Sequence, residues 1–237
     1  MDQRLKNEIE HGRKIAPAAE EIWGWSGRVG TLRWERRMSM LLGGLGPGQR
    51  VLEIGCGTGL MTAEAVKTKA RIFSLDVSFE LIDLAKKKKG NRKAAFCCAS
   101  AYELGFKDKS FDAVIGMSVL HHLDIDRALD ELSRVLKDGG RMFFSEPNML
   151  NPHIFAERTF FREYFHNSPD ETAFVRFSLA RKMRQHGFKD ISIRPFDFLY
   201  PKTPASLASA MNKLLRVAEK IPVLSELAGS LFIEAAK

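Results

Sequence analysis

Val51-Leu52-Glu53-Ile54-Gly55-Cys56-Gly57-Thr58-Gly59 runs from a short apolar strand into a turn with glycine at every second position. A strand that ends in such a turn, with a helix behind it, brings bare main chain close to a ligand. Glycine suits the turn because it adopts positive φ and carries no Cβ to hold the ligand away. The helix start adds N–H groups that no helical carbonyl satisfies. Seventeen residues past Gly59, Ser74-Leu75-Asp76-Val77 reads as a second strand closing on a carboxylate. A carboxylate at that place can accept hydrogen bonds from both hydroxyls of a ribose. The two segments together point to a nucleoside ligand.

The glycine spacing narrows the choice. A dinucleotide fingerprint needs G-x-G-x-x-G, but the third place is Leu60 counted from Gly55 and Thr62 counted from Gly57. A phosphate-binding P-loop is excluded too, since no Gly-Lys-Ser/Thr follows. The pattern present, E-x-G-x-G-x-G, resembles the first motif of the Rossmann-like S-adenosylmethionine-dependent methyltransferases. Further segments resemble that family in order: Asp76 closing the second strand, Phe111-Asp112-Ala113-Val114-Ile115-Gly116-Met117-Ser118, Leu120-His121-His122-Leu123, and Leu136-Lys137-Asp138-Gly139-Gly140-Arg141. The likeness is close over residues 45–147 and extends to the rest in outline.

The resemblance implies an α/β fold, a doubly wound, seven-stranded, mostly parallel sheet, with S-adenosylmethionine as cofactor. It implies that Gly55, Cys56, Gly57 and Gly59 present main chain to the methionine portion, and that Glu53 beneath them holds the amino group directly or through water. Asp76 takes the ribose hydroxyls, Val77 lies against the adenine, and Met117 and Ser118 contribute backbone near the sulfonium. One departure stands out. Many members carry an acidic residue after the third strand for the adenine amino group, where this chain has Ser100, with the Ala101 N–H available to a ring nitrogen.

Composition agrees with one α/β domain over residues 1–237: N-terminal helices over 1–44, a cofactor-binding core over 45–146, a helical cap and acceptor region over 147–188, and C-terminal strands and a helix over 189–237. At 237 residues and 45% hydrophobic, the chain can bury a substantial core. No stretch has the apolar length of a membrane span, and the start Met1-Asp2-Gln3-Arg4-Leu5-Lys6 lacks the apolar core of a secretory signal. Cys56, Cys97 and Cys98 give no disulfide framework and are expected as small buried residues in a reducing compartment. His121 and His122 are adjacent rather than spaced as metal ligands, so a metal-free, cytoplasmic protein is expected.

Leu5, Ile9, Gly12, Ala16, Ala19 and Trp23 recur at helical steps, with an interruption expected at Gly12 or Pro17. A second helix runs through Leu32, Arg36 and Met40 to Gly43-Gly44. Strands are expected near 50–54, 71–75, 94–98, 111–116 and 141–145, with helices at about 59–67, 78–89 and 125–137. Such alternation makes a parallel sheet whose ligands lie outside the strands' carboxyl ends. Residues 147–187 break the rhythm with Phe155, Phe160, Phe161, Tyr164, Phe165, Phe174 and Phe177, and with His153 and His166. They are read as a helical cap after the fifth strand, with most rings in core packing and one or two facing the acceptor. A sixth strand covers 190–194. Thr203-Pro204 opens a helix whose Leu207, Met211, Leu214, Ala218 and Ile221 share one face, expected to dock on the sheet rather than on a membrane surface. Leu231 to Ala236 closes the chain as a seventh strand, which the resemblance implies is antiparallel at the end of the sheet.

Methyl transfer from a sulfonium rests on alignment and exclusion of water, and alignment supplies roughly 7–11 kcal/mol. A base is needed only where the acceptor must lose a proton; His121, His122, Glu146, His153 and Tyr164 are the residues available for it. The net charge of +8, with Lys86 to Lys89, Arg92 and Lys93 most dense, raises RNA as an acceptor. That cluster also ends a helix, where cations suit the dipole. The aromatic insertion fits a small-molecule or lipid-linked acceptor better, and a non-catalytic cofactor-binding protein is the third reading. Acceptor, methylated atom and oligomeric state stay open at this point.

Overall fold

The computed structural model describes residues 2–162, 164, 168 and 170–237. Phe165 and His166 of the aromatic segment lie outside the described residues. The chain begins with α1 (Gln3–Ile15), whose first turn is capped by Asp2 accepting from the Arg4 N–H at 3.1 Å. The expected interruption falls at Pro17, inside a single tight turn over Ala16–Ala18 that leads to the short α2 (Ala19–Ile22). Gly12 sits where α1 crosses a later helix, and a Cβ there would meet Ser78 Cβ at 2.7 Å. Then follow α3 (Gly27–Leu42), β1 (Arg50–Ile54), α4 (Leu60–Ala65), β2 (Arg71–Asp76), α5 (Phe79–Lys87), β3 (Ala95–Cys98), β4 (Phe111–Met117) and α6 (Ile125–Val135). The C-terminal part holds β5 (Leu136–Pro147), α7 (Pro152–Phe160), α8 (Arg176–Gln185), β6 (Lys189–Phe196), α9 (Ala205–Ala218), α10 (Pro222–Ser225) and β7 (Ser230–Ala236).

Seven strands form one sheet in the order β3-β2-β1-β4-β5-β7-β6. The first five pair parallel, and β7 runs antiparallel to both neighbours. Alternate residues of β1 feed two separate cores, as strand geometry requires. Leu52 and Ile54 pack with Leu129 and Leu132 of α6 and Met183 of α8. Val51 packs on the other face with Met38 and Leu41 of α3 and Met61 of α4. The strand order reverses between β1 and β4, so a crevice opens at their carboxyl ends.

Several expectations need correction. β7 is not at the end of the sheet but between β5 and β6, and its Leu231, Phe232 and Ile233 are buried, as an internal strand's must be. The edge is β6. The opposite edge is β3, which leaves Cys97 and Cys98 exposed rather than buried, since only β2 flanks them. Helix α8 belongs to the layer covering the sheet rather than to the cap, with Leu179 and Met183 in the core. The cap is therefore α7 and the segment behind it. Among the described residues its rings are mostly exposed (Phe155 48%, Phe160 69%, Phe161 54%), and of them only Phe174 packs against the main core. Helix α9 does not dock on the sheet. It leans on α3 through Ala208 and Leu215, which pack with Val29 and Leu199, and its apolar face points outward. Among the described residues no helix is long and apolar enough to cross a membrane.

Candidate functional site

A cavity of about 530 Å³ opens over the carboxyl ends of β1, β2 and β4, under a roof made of α1, α2 and α7. Its floor is the glycine turn. Gly55, Gly57 and Gly59 all have positive φ, at 63°, 53° and 75°, a region that side chains other than glycine's enter at a cost. Each also lies against protein. A Cβ on Gly55 would meet Val119 at 2.4 Å, one on Gly57 the Trp23 ring at 2.7 Å, and one on Gly59 the Asn91 amide at 2.2 Å. The bare turn thus accommodates neighbouring side chains as well as a cavity, and Trp23 brings α2 down onto it. Thr58 Oγ1 adds a tie to α2 by donating to Glu20 Oε1 at 2.9 Å, where Lys88 Nζ also donates at 2.6 Å.

Asp76 ends β2 beside this turn. Its Oδ2 accepts from the Gly57 N–H and its Oδ1 from the Ser78 N–H, both at 2.9 Å. Each oxygen keeps a lone pair. Burial pushes its carboxyl above the ordinary value, against the pull of those backbone donors. Ser78 is the N-cap of α5, accepting from the Leu81 N–H at 3.3 Å, so one aspartate orders both the turn and the next helix start.

Glu53 is fully buried beneath the turn. Its Oε2 accepts from Thr62 Oγ1 and Ser74 Oγ, both at 2.6 Å, while its Oε1 has no partner among the described residues. Burial holds this carboxyl up to about 7 in spite of the two hydroxyl donors. An unpaired buried oxygen is costly unless a donor reaches it. Cys56, also buried, has its thiol pushed far up by burial and by the charges of Glu53 and Asp76, which keeps it from thiolate chemistry. Val77, Ser100, Ala101, Met117 and Ser118 complete this side of the wall, with Ser118 in the left-handed region at φ 53°. Of the cofactor residues named from sequence, only Gly59 lies off the cavity wall, behind the turn.

The other side is a cluster of charged and imidazole groups. His121 is clamped at both ring nitrogens: Nδ1 lies 2.6 Å from Glu146 Oε2, and Nε2 lies 3.3 Å from Glu171 Oε1. Burial alone would lower its pKa, but the hydrogen bonds and charges of the two glutamates outweigh this and hold it up to about 9. Glu146 lies off the cavity wall with every lone pair engaged. Its Oε1 takes the Val119 and Leu120 N–H groups at 3.0 Å, and its Oε2 takes His121 through ring and backbone. Glu171 also pairs with Arg158. Burial would raise its pKa, yet His121, His122 and Arg158 hold it well below the usual carboxylate range.

His122 is less enclosed. Its Nδ1 lies 2.9 Å from Glu8 Oε2, and its Nε2 lies 4.0 Å from Glu171. Glu8 in turn receives the Ser168 hydroxyl. Burial would raise its carboxyl, but the contacts with His122 and Ser168 keep it below the ordinary value. His11, one turn along α1, is pushed down by burial and remains neutral at neutral pH. His153 also lines the cavity, stacked edge-on with Tyr200 at 5.1 Å, while Tyr164 lies away from it.

Glu8, His11, Trp23, Arg158 and Glu171 are absent from the sequence-based set. Glu8 had a weak signal, since it shares a helix face with Leu5, Gly12 and Ile15 at steps of three and four. Arg158 and Glu171 had none, because only the folded cap brings them to His121. The fold also gathers one ligand atom each from His121, His122 and Glu171 within 4.8 Å, a convergence that sequence spacing does not disclose. Arg158 already neutralises that glutamate.

Residues 52–144 match a family model described as a methyltransferase domain. An O-methyltransferase of Aspergillus sclerotiorum is 30% identical in an alignment covering 92% of this chain and 85% of that one. A demethylmenaquinone methyltransferase of Thermobifida fusca is also 30% identical, over 64% of this chain and 73% of that one. The crystal structure of an S-adenosylmethionine-dependent methyltransferase from Thermotoga maritima has the same fold, with a TM-score of 0.71 at 20% identity over 96% of this chain and 99% of that one. A Rossmann-like sheet, a crevice at its switch point and a matching relative along nearly the whole length agree: this chain belongs to the S-adenosylmethionine-dependent methyltransferases.

Proposed function

We propose that the protein methylates a hydroxyl group of a small, largely apolar acceptor. The cofactor supplies an activated methyl carbon. The unpaired Glu53 Oε1 supports its amino group being held there, since an ammonium would satisfy a buried oxygen that no described residue reaches. Asp76, already fixed by two backbone donors, takes the ribose hydroxyls with its remaining lone pairs. Gly55 to Gly57, Met117 and Ser118 line the reacting end, Val77 lies against the adenine, and Ser100 with the Ala101 N–H faces its polar edge. Gly59 and Cys56 shape the turn.

The observation that carries the acceptor reading is the His122–Glu8 pair, 2.9 Å apart in the wall across from the glycine turn. Glu8 Oε2 lies against Nδ1, which leaves Nε2 as the ring nitrogen placed to accept a proton from a hydroxyl. His121 is a positioning residue in this reading. With both ring nitrogens occupied it cannot take a further proton, but with Glu146 it fixes the loop that presents His122. Glu146 is likewise structural. The relatives' names favour a small molecule, one naming oxygen as the methylated atom and the other a quinone precursor.

The test is product analysis with labelled cofactor over acceptors bearing a phenolic hydroxyl, an amine or a bare ring carbon. Hydroxyl methylation is expected, with kcat lowered roughly 10²–10⁴-fold in His122→Ala and cofactor affinity unchanged. Equal methylation of a ring carbon by wild type and variant would overturn the assignment.

A further inference from the structure

We infer that α9, α10 and the outer side of α7 form one docking surface for an anionic lipid bilayer, set beside the mouth of the cavity. At 3.6 residues per turn, Leu207, Met211, Leu214 and Ala218 fall within an arc of about 60° on α9, with Val217 next to it and Ile221 just past the helix end. This arc points away from the protein. Leu207 is 52% exposed, Leu214 70% and Val217 56%. The buried edge, Ala208 with Leu215, lies to one side and packs on α3. Beyond α9 the ridge continues through Val223, which is 83% exposed, and through Leu224 and Leu227. Monomeric proteins rarely expose so continuous an apolar strip unless it meets a partner or a membrane.

Charge chooses between those two. Lys213 lies past Val217 on the side away from α3, Lys220 follows the helix, Lys202 precedes it, and all three are exposed. The acidic residues between positions 198 and 228 are Glu219 and Glu226, and both are turned to internal pairs. Glu219 binds Arg36 Nη1 at 2.7 Å, and Glu226 binds Arg176 Nε at 2.8 Å. Along α9 and α10 the charges left facing outward are therefore positive. An apolar stripe bordered by lysines suits the headgroup region of an anionic membrane. A second copy of the chain would set like charges against each other, in a protein already carrying +8.

The position fits delivery of an acceptor. Tyr200 and Pro201, which line the cavity, lead directly into α9. Tyr200 meets His153 of α7, whose outer rings Phe155 and Phe160 pack edge to face at 6.2 Å and are exposed. Asn151 at the start of α7 donates to the Leu227 carbonyl at 2.7 Å, which ties α7 to the turn after α10. An apolar acceptor dissolved in the bilayer would reach the cavity without crossing water. The surface does not depend on which acceptor atom is methylated.

Sedimentation of the full chain with vesicles tests this. Vesicles of phosphatidylglycerol with phosphatidylcholine are expected to bind the protein, and phosphatidylcholine alone to bind it far less. Replacing Leu214→Glu and Val223→Glu together should weaken binding more than tenfold. Lys213→Gln and Lys220→Gln should each weaken it roughly fivefold at low salt. All four side chains are exposed, and unchanged cofactor affinity would verify that the variants fold. Wild type that ignores anionic vesicles, or binding that survives the double glutamate change, would overturn the proposal. So would a concentration-dependent dimer in sedimentation velocity that Leu214→Glu dissociates, since the strip would then be a subunit contact.

Discussion

The glycine-turn wall of the cavity is drawn from four strand ends between residues 53 and 118. The facing wall takes Glu8 and His11 from α1, His121 and His122 from the loop after β4, Arg158 from α7 and Glu171 from the segment behind it. The first wall is fixed by backbone: positive φ at three glycines and N–H groups that pin Asp76. The second is fixed by ion pairs among distant segments. Backbone-built walls tolerate little substitution and serve a constant ligand. A wall of side chains on helices and loops can change its acceptor while the sheet stays as it is, which is how one fold hosts many reactions.

The sharpest way to break the comparison is at Gly57. Valine there would need φ near 53° and would drive a side chain into the Trp23 ring. The turn would have to move, and with it the Gly57 N–H that holds Asp76. Cofactor binding should fall below detection by calorimetry. Asp76→Ala should come close, because it removes the carboxylate and frees both backbone donors it satisfies. Near-normal affinity in either variant would mean that the first wall is not organised by its backbone.

The second wall should respond to pH instead. A histidine whose folded pKa of about 9 stands above its free value of 6.5 stabilises the fold while it is protonated. That contribution is complete below pH 6.5 and drains away as pH rises through about 9. Replacing His121 with asparagine, which does not titrate, should therefore cost most stability in acid and least in alkali. The difference between the two proteins in denaturant melts should shrink by about 3 kcal/mol across that window. A gap independent of pH would show that the Glu146–His121–Glu171 chain is held by neutral hydrogen bonds.

The same contrast governs how much could be read from sequence. The glycine turn, Asp76, Ser100 and Met117 were legible because each follows directly from a strand whose apolar run is local and periodic. His121 and His122 were legible as a pair, but their roles were not. What separates them is Glu146, Glu171 and Glu8, which lie 25, 50 and over a hundred residues away in sequence. The position of β7 was misread at the level of topology, since alternation says which strands exist and not where an antiparallel return is inserted. The outward face of α9 was misread for a related reason. Apolar periodicity marks a face that prefers to leave water, and the fold alone decides what, if anything within the chain, covers it.

The smallest expected effect lies where the two walls touch. Glu20 on α2 accepts from Thr58 of the glycine turn and from Lys88 at the end of α5, and its side chain is 44% exposed. Pairs so open to solvent contribute about 1 kcal/mol or less to stability, so Glu20→Ala should barely shift the melting temperature. Its effect should appear in kinetics. Those two contacts, with the Trp23 ring over Gly57, hold α2 across the turn, and a ligand is expected to enter and leave beneath α2 as it lifts. Loosening that hold should raise cofactor association and dissociation rates together, severalfold each, with the equilibrium constant nearly unchanged. Stopped-flow measurement separates the two rates. If dissociation alone quickened, Glu20 would be acting on the bound state, through the turn, and the roof would belong to the backbone-built wall rather than standing between the two.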